Sequence, residues 1–349
     1  NYRLFIGGQL ISLVGTWLQS VAQSWLVYRL TGSSLLLGLA GFCGQIPVFM
    51  LAPLGGAVAD RHDRRALLVA TQTSSMLLAF ALGGLTLAGW ITVADVFVLA
   101  ALLGVVNAFD IPVRQAFVVQ MVGRDDLPNA IALNSSVFNA ARMLGPAVAG
   151  ILVAMVGEGW CFVINGASYL GVIAGLLLMT PSPNPRRAAV SSAVADILDG
   201  FRFVARTGPI RALLALLGLV SLLGMPFSVL MPIFADRILH AGARGLGMLM
   251  GATGVGALGA GVLLAFRASP RGLGRWVAAS AAGFGVALVL FTLSRTFPLS
   301  VALLVAVGFC MVLQFAASNT LLQTLTPDVL RGRVMAVYSM MLMGMAPFG

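Results

Sequence analysis

Long apolar runs, separated by short polar stretches, follow one another along almost the whole sequence. Ten of them lie at residues 4–28, 35–59, 66–90, 94–118, 129–156, 160–180, 209–234, 243–266, 276–296 and 298–322, and an eleventh begins near Val334. A helix needs about 20 apolar residues to cross the hydrocarbon core of a bilayer. Because lipid offers the backbone no hydrogen bonds, such a run folds as a helix. The pattern predicts an all-α, polytopic membrane protein.

A polar stretch at 181–208 divides the runs into two groups. It opens with prolines, and apolar positions then recur at helical spacing from Val194 to Val204, which predicts an amphipathic helix on the membrane surface. A weak sequence repeat relates 120–136 to 323–339. We predict a six-helix bundle at 1–180, a cytoplasmic linker at 181–208 and a second bundle at 209–349. Since the eleventh run stops at Gly349, we expect a twelve-helix protein of which this sequence holds about ten and a half helices.

The charged residues support a membrane protein and predict its orientation. Of the 349 residues 59% are hydrophobic and 9% charged, whereas about 25% are charged in a soluble domain, which excludes a water-soluble enzyme. All 21 basic residues are arginine, and sixteen of them fall on the side of the bilayer that holds the amino terminus. Cytoplasmic loops carry such an excess, which predicts a cytoplasmic amino terminus. Because these arginines are scattered over short loops, we expect no nucleic-acid partner. The arginine- and alanine-rich composition favours a bacterial plasma membrane.

Residues that carry enzyme chemistry are few and far apart. His62 and His240 fall on opposite sides of the bilayer, and the three cysteines form no CxxC pair. A Gly-x-Gly-x-x-Gly pattern at 254–259 lies inside an apolar run rather than after a strand, which favours close helix packing over dinucleotide binding. We therefore expect no enzyme, no catalytic residue, no metal and no cofactor.

The densest charge cluster lies between the second and third runs. Its main residues are Gly56, Asp60, Arg61, Arg64 and Arg65. The cluster resembles the signature loop Gly-x-x-x-Asp-Arg-x-Gly-Arg-Arg/Lys of the major facilitator superfamily, with Asp63 in place of the glycine. Stretches at 25–33, 110–128, 134–150, 197–211 and 327–337 resemble the branch with the enterobactin exporter and macrolide efflux pumps. The resemblance implies two six-helix bundles and transport by alternating access.

The same resemblance implies that this loop forms a gate. Asp60 would cap a neighbouring helix, and Asp110 in the fourth run would pair with Arg64, so that both contacts stabilise one conformation. A carboxylate at membrane depth needs a partner, which favours a gating role for these three residues. The alternative is that the loop charges only set the topology, and for Arg61 and Arg65 the two interpretations are equally good.

The fifth run carries two further features. Gly145, Pro146 and Gly150 resemble the Gly-Pro element of exporters in this superfamily, and small residues allow another helix to approach closely. Arg142 lies about 13 residues into the run, roughly 20 Å deep at 1.5 Å per residue, where an unpaired charge is costly. We expect Arg142 to bind an anionic substrate group or a mobile counter-charge. The alternative is a static pair with Asp110.

Polar side chains within the apolar runs predict a water-filled cavity. In the first run Gln9, Ser12, Thr16, Gln19 and Gln23 recur at three- and four-residue spacing, and we expect this face to line the cavity. The other candidates for the cavity are Asn107, Asn134, Asn139, Gln314, Ser318 and Asn319. The alternative for each single residue is a hydrogen bond to another buried amide across a helix interface.

These observations together favour a secondary active transporter that works by alternating access. We expect it to export siderophore-like or amphipathic drug-like small molecules as a monomer in the lipid bilayer, and the resemblance implies coupling to the proton gradient. The alternatives are a lipid or lysolipid translocator, an importer of the same fold, and a non-transporting membrane sensor, which needs no continuous polar cavity.

Overall fold

The computed structural model describes residues 2–122, 127–179, 201–266 and 272–349, and its regular elements in these ranges are helical. The α-helices are α1 Tyr2–Thr31, α2 Ser34–Arg61, α3 Arg64–Leu87, α4 Val93–Val122, α5 Leu127–Val156, α6 Glu158–Leu178, α7 Gly208–Leu223, α8 Phe227–Ile233, α9 Gly242–Ala265, α10 Leu273–Leu293, α11 Phe297–Leu325 and α12 Asp328–Gly344. A π-helix, Phe234–Ile238, directly follows α8. Residues 201–206 are also helical.

Eleven apolar helical segments of the described ranges correspond to the eleven apolar runs. Nine are long and apolar enough to cross a membrane, and Ala140–Val156 and Arg333–Gly344 are shorter apolar helices. The predicted all-α, polytopic membrane protein is therefore confirmed. Hydropathy locates these helices well because the bilayer thickness sets the length of a crossing helix. Of the predicted amphipathic helix at 194–204, the part before residue 201 lies outside the described residues.

The seventh run differs from its prediction as one helix over 209–234. α7 ends at Leu223, and a turn separates it from α8, which begins at Phe227. Pro226 in the turn and Pro232 in α8 have no backbone N–H, so neither can donate a helical hydrogen bond. The π-helix then begins two residues after Pro232. The apolar segment Gly208–Ile238 is thus built from three helical pieces.

Unit 1 of the fold comprises Asn1–Ala189 together with Pro232–Gly251. Within it α2 packs against α4, α1 against α5 and α6, and α3 against α4 and α6. Glycines allow these helices to approach closely. A Cβ added to Gly8 would lie 2.8 Å from the carbonyl oxygen of Gly171, and one added to Gly55 would overlap that of Ala108. Close packing of this kind is what associates helices in lipid.

We name the two ends of unit 1 after their first loops. α1 meets α2 at Gly32, whose positive φ of 60° suits glycine, and this is the Gly32 end. α2 meets α3 at His62, and this is the His62 end. One apolar core of unit 1 is formed by buried side chains from α1, α2, α3, α4 and α6, together with Met179: Phe5, Ala59, Leu68, Val113, Phe117, Val172 and Leu176.

Unit 2 comprises Val190–Met231 and Ala252–Gly349. In it α10 packs along α11, and α7 packs against α12. Gly256 on α9 lies so close to α11 that an added Cβ would overlap the carbonyl oxygen of Val305, and Gly308 on α11 is equally close to that of Thr253. The prediction that the glycine pattern at 254–259 serves helix packing is therefore confirmed at Gly256.

The predicted division into 1–180, 181–208 and 209–349 concerns the repeat in the sequence and stays a prediction. In the structure the segment Pro232–Gly251 packs with unit 1, although it follows the linker. This segment holds the end of α8, the π-helix and the first part of α9. It brings Asp236, Arg237 and Gly247 into unit 1.

Candidate functional site

Asp110 is the buried carboxylate of α4, with 1% of its surface exposed. Its Oδ1 accepts hydrogen bonds from Thr71 Oγ1 at 2.7 Å and from Gln72 Nε2 at 2.8 Å. Its Oδ2 forms an ion pair with the guanidinium of Arg114, one turn further along α4. These three donors satisfy both oxygens, as a charge buried at membrane depth requires.

The predicted pairing of Asp110 with Arg64 is not the one that the structure has. Arg64 lies at the start of α3, where its Nε donates to the carbonyl oxygen of Ala59 at 3.1 Å and its Nη1 contacts Gln120 Oε1 at 3.5 Å. Arg114 is the nearer cation because residues four apart share one face of a helix. The suggested static pair of Asp110 with Arg142 is also wrong, because Asp110 is paired with Arg114 instead.

Two side chains of the signature loop stabilise the start of α3. Asp63, in place of the usual glycine, is the N-cap of α3, and its Oδ1 accepts the N–H of Ala66 at 2.8 Å. Arg65 donates from Nε to the carbonyl oxygen of Leu176 at 2.6 Å and from Nη2 to that of Leu177 at 2.7 Å. Carbonyls in the last turn of α6 have no helical donor, and a cation is favoured beside them. Arg65 thus connects α3 to the end of α6.

The structure assigns no gating contact to the other residues of the signature loop that it describes. Arg61 is exposed at the end of α2, and a Cβ added to Gly56 would meet nothing within 4 Å. The side chains of Asp60 and Asn139 lie outside the described part of the structure. The predicted helix cap by Asp60 therefore stays a prediction.

The exporter-like element of α5 is closely packed on two sides, against the Trp17 side chain of α1 and against the backbone of α9. A Cβ added to Gly145 would overlap Trp17 on α1, and one added to Gly150 would lie 2.6 Å from the Cα of Gly247 on α9. A Cβ added to Gly247 would in turn lie 2.7 Å from the carbonyl oxygen of Pro146. A larger residue at either position of the Gly150–Gly247 contact would therefore displace a backbone.

A cluster of polar contacts lies at the Gly32 end of unit 1. Tyr28 on α1 donates its O–H to Asp236 Oδ2 at 2.8 Å. The guanidinium of Arg237 lies 5.8 Å from the centre of the Tyr28 ring, and its Nη2 donates to the carbonyl oxygen of Gly32 at 3.0 Å. Both charged residues belong to the π-helix that follows α8. We call Tyr28, Gly32, Asp236 and Arg237 the Gly32-end cluster.

An ion pair also lies at this end of unit 1. Arg29 Nε contacts Glu158 Oε1 at 2.8 Å, and Glu158 is the first residue of α6. Sequence reasoning missed this pair and the Gly32-end cluster. Tyr28 and Asp236 are 208 residues apart, and no spacing rule links positions so distant. The available signal was that Glu158 and Asp236 are acids at the ends of apolar runs, where a charge needs a partner.

The polar stripe of α1 does not face water as a whole, which corrects the prediction. Gln9 and Gln19 are buried, with 3% and 6% of their surfaces exposed. Gln19 Oε1 accepts a hydrogen bond from Asn165 Nδ2 of α6 at 2.6 Å. Thr16 is exposed and Gln23 is partly buried. Because α1 packs along α5 and α6, much of the stripe lies in helix interfaces, as the alternative interpretation held.

The cavity candidates on other helices differ in burial. Asn107 and Asn134 are partly buried, and Asn319 Oδ1 accepts a hydrogen bond from Gln323 Nε2 at 2.6 Å. Gln314 is fully buried in α11, and neither polar atom of its side chain has a hydrogen-bond partner in the described structure. The cavity roles of these residues stay predictions.

Arg142 is partly buried in the middle of α5. Within the described residues neither a carboxylate nor a hydrogen-bond acceptor is paired with its guanidinium. The same ranges hold no group of three or more His, Cys, Asp or Glu side chains that could bind a metal ion. The unpaired guanidinium is therefore the feature of this helix that a ligand could satisfy.

The match to a family model covers nearly the whole sequence. Residues 2–349 match the family described as transmembrane secretion effector, MFS_3. With the all-helical, multi-pass fold, this match defines a membrane transporter of the major facilitator superfamily, which is not an enzyme. The chain belongs to the transmembrane secretion effector family, so the resemblance drawn from the loop at 56–65 is confirmed.

Three bacterial relatives are similar over almost the full length of the chain. The multidrug efflux pump Tap of Mycolicibacterium fortuitum is 30% identical, covering 99% of this chain and 86% of the relative. The staphyloferrin A transporter of Staphylococcus aureus is 24% identical, covering 99% of this chain and 87% of the relative. The enterobactin exporter EntS of Shigella boydii is 26% identical, covering 97% of this chain and 80% of the relative.

Solved transporter structures have the same fold. The nucleoside transporter NupG superposes with a TM-score of 0.73 at 14% identity, covering 99% of this chain and 88% of that one. A bacterial homologue of the iron transporter ferroportin, in an inward-facing state, gives a TM-score of 0.70 at 17% identity, covering 99% of this chain and 89% of that one. At this identity the likeness establishes the fold alone.

Proposed function

We propose that this chain is a secondary active exporter of amphipathic small molecules, siderophore-like or drug-like, that works by alternating access. The observation that carries the proposal is the backbone contact of Gly150 with Gly247, which joins the exporter-like element of α5 to α9. Relatives described as siderophore and drug exporters match the chain over nearly all of its length. The names of those relatives support the proposed substrate class.

The gate that we propose lies at the Gly32 end rather than in the signature loop. In alternating access, contacts between early and late helices form in one state and break in the other. Tyr28 with Asp236, and Gly150 with Gly247, join the first six helices to residues that follow the linker. The hydrogen bonds of Asp110 and Arg65, by contrast, connect neighbouring helices of the first six. These latter bonds hold one bundle together and do not open with the gate.

The proposed orientation follows from the arginines. The protein is a multi-pass membrane protein with bacterial relatives. We place it in the bacterial plasma membrane as a monomer with a cytoplasmic amino terminus, because sixteen of 21 arginines then lie inside. The Gly32 end then faces the outside. The proton gradient is the proposed driving force, as the superfamily resemblance implies.

The test is efflux from cells that lack their own pumps. The full-length gene is expressed as wild type, as Gly150→Leu and as the control Gly261→Leu, and efflux of a panel of siderophores and amphipathic drugs is followed with and without a protonophore. A Cβ at Gly261 meets nothing within 4 Å, whereas one at Gly150 meets the α9 backbone. We expect efflux by the wild type and the control. Gly150→Leu should lower it at least about tenfold because the closed contact cannot form.

Other results would replace the proposal. Accumulation of the compounds would indicate an importer, and movement of a fluorescent lysolipid without efflux of any soluble compound would indicate a lipid translocator. No movement of any probe by a well-expressed wild type would indicate a sensor. Efflux that a protonophore leaves unchanged would remove the proton gradient from the proposal.

A further inference from the structure

Arg142 lies on the opposite side of α5 from most of the exposed long apolar side chains of that helix. Most long apolar side chains of α5 with exposed surfaces share one face: Leu133, Leu144, Val148, Ile151 and Met155. At 100° per residue they lie about 180–240° around the helix axis from Arg142. Phe138, one turn before Arg142, and Val156, about four turns after it, lie within about 40° of Arg142 and are 44% and 45% exposed. The helix therefore has a second accessible side, and Arg142 belongs to it.

Aromatic side chains border this second side. The rings of Trp17 on α1 and Phe138 on α5 lie 6.2 Å apart in an edge-to-face arrangement. Gly145 contacts Trp17 directly, so α1 meets α5 both before and after Arg142. Thr16, next to Trp17, is exposed. The aromatic rings of Trp17 and Phe138 thus lie on the side of α5 that carries Arg142, whereas the hydroxyl of Thr16 already donates to the carbonyl oxygen of Ser12 at 2.9 Å.

The carboxylates of unit 1 that the structure describes are already engaged. Asp110 binds Arg114, Glu158 binds Arg29, and Asp236 accepts from Tyr28. Asp63 accepts the N–H of Ala66 in the first turn of α3, and Asp95, in the first turn of α4, accepts the N–H of Thr92. The sequence from 237 to 327 contains no Asp or Glu. The described protein thus supplies no counter-charge for Arg142.

We infer that Arg142 binds the anionic group of the transported molecule, whose class is an organic anion with an aromatic body. This inference rests on the proposed transport function and names its substrate class. An unpaired guanidinium away from bulk water is costly, and a bound carboxylate, phenolate or sulfonate removes that cost through charge-assisted hydrogen bonds. The Trp17–Phe138 pair packs against the ring of the ligand.

The test measures binding, so that it does not depend on transport. The full-length protein is placed in phosphatidylcholine nanodiscs and titrated against carboxyfluorescein, an anionic xanthene dye, and rhodamine 123, a cationic dye with the same ring system. Fluorescence anisotropy reports the affinity. The variants are Arg142→Gln, Arg142→Lys and the control Arg295→Gln, since Arg295 is exposed and bonds only locally to the carbonyl oxygen of Thr292.

We expect the wild type and the control to bind carboxyfluorescein more tightly than rhodamine 123. Arg142→Gln should weaken carboxyfluorescein binding about tenfold or more, because a hydrogen-bonded charge is lost. Arg142→Lys should weaken it less, because the charge remains. Binding of rhodamine 123 should not weaken in either variant. Should Arg142→Gln fail to fold, two measurements still test the inference. They are the relative affinities of the wild type for the two dyes and the affinity of Arg142→Lys for carboxyfluorescein.

Four binding results would each overturn the inference: no carboxyfluorescein binding by folded wild type, equal binding of both dyes, equal binding by wild type and Arg142→Gln, or displacement of the dye when phosphatidylglycerol replaces part of the nanodisc lipid. The last result would assign the arginine to a lipid headgroup. Efflux that does not depend on Arg142 would support the exporter function and contradict the anion site. Arginine-dependent binding without any transport would leave the anion site and remove the exporter.

Discussion

At the scale of single residues, Asp110 illustrates how local spacing decides which arginine neutralises a buried acid. The expectation that a carboxylate at this depth has a cationic partner follows from its position in an apolar run, and it holds. The partner is Arg114, four residues along the same helix, rather than Arg64 of the signature loop. A family resemblance indicated the more distant arginine, whereas the four-residue spacing on one helix face indicated the nearer one.

The identity of this partner can be tested by paired substitutions. Asp110→Asn should lower the free energy of unfolding by about 3 kcal/mol, because it leaves Arg114 uncompensated beside a buried amide. Arg114→Gln combined with Asp110→Asn should cost less than the sum of the two single changes, with a coupling of at least about 1 kcal/mol. Denaturant unfolding of the purified protein in detergent measures each value.

Arg64→Gln is the matched comparison for this cycle. We expect Asp110→Asn and Arg64→Gln to be additive within about 0.5 kcal/mol, since Arg64 bonds elsewhere. A coupling with Arg64 larger than the coupling with Arg114 would restore the gate that the loop resemblance implied.

Arg65 gives a second prediction. From the sequence, a gating role and a role in setting the membrane topology were equally good interpretations of this residue. Arg65→Gln should lower the free energy of unfolding by about 1–2 kcal/mol, because hydrogen bonds from a partly exposed cation to the Leu176 and Leu177 carbonyl oxygens are lost. Arg61→Gln removes the same charge from an exposed neighbour and should change stability by less than about 0.5 kcal/mol. Equal melting temperatures for the two variants would mean that Arg65 only contributes charge.

At the scale of helices, length and position follow from the sequence, and helix breaks follow only in part. The bilayer sets the length of a crossing helix, so each apolar run marks one. Gly224, Pro226 and Pro232 were visible signals within the seventh run, because proline cannot donate a helical hydrogen bond. Whether the span kinks, stops or continues as a π-helix around Pro226 and Pro232 depends on tertiary contacts, such as those of Asp236 and Arg237, which hydropathy does not contain.

The glycine pairs that join helices give a prediction at this scale. Gly256→Val should destabilise the protein by about 1–3 kcal/mol or prevent folding, because a side chain would push α9 away from Val305 on α11. Gly285→Val on α10 is the matched control, since a Cβ there meets nothing within 4 Å. Thermal unfolding of both variants in detergent gives the comparison. A Gly256→Val protein as stable as the control would show that α9 and α11 are not in backbone contact.

At the scale of the whole molecule, contacts between distant parts of the sequence are what the pattern analysis could not supply. Tyr28 and Asp236 are 208 residues apart, and each lies near the end of an apolar run with an ordinary interfacial composition. Periodicity reports on the face of a single helix, whereas pairing of two helix ends depends on how the helices are arranged. The functional interpretation of the Gly32-end cluster therefore needs a measurement of opening.

Hydrogen exchange of Tyr28→Phe in nanodiscs supplies that measurement. The substitution keeps the ring beside Arg237 and removes one hydrogen bond to a carboxylate, worth about 1.5–3 kcal/mol. If the cluster holds the Gly32 end closed, peptides covering 25–35 and 232–241 should exchange at least about tenfold faster, while peptides around 59–66 at the His62 end keep their rate. Tyr338→Phe is the control, because its hydroxyl bonds to the Phe315 carbonyl oxygen within unit 2. Unchanged exchange at 25–35 and 232–241 would remove the cluster as a gate, and equal acceleration at both ends would mean general destabilisation. Acceleration confined to the Gly32 end would make opening there the step that this hydrogen bond controls.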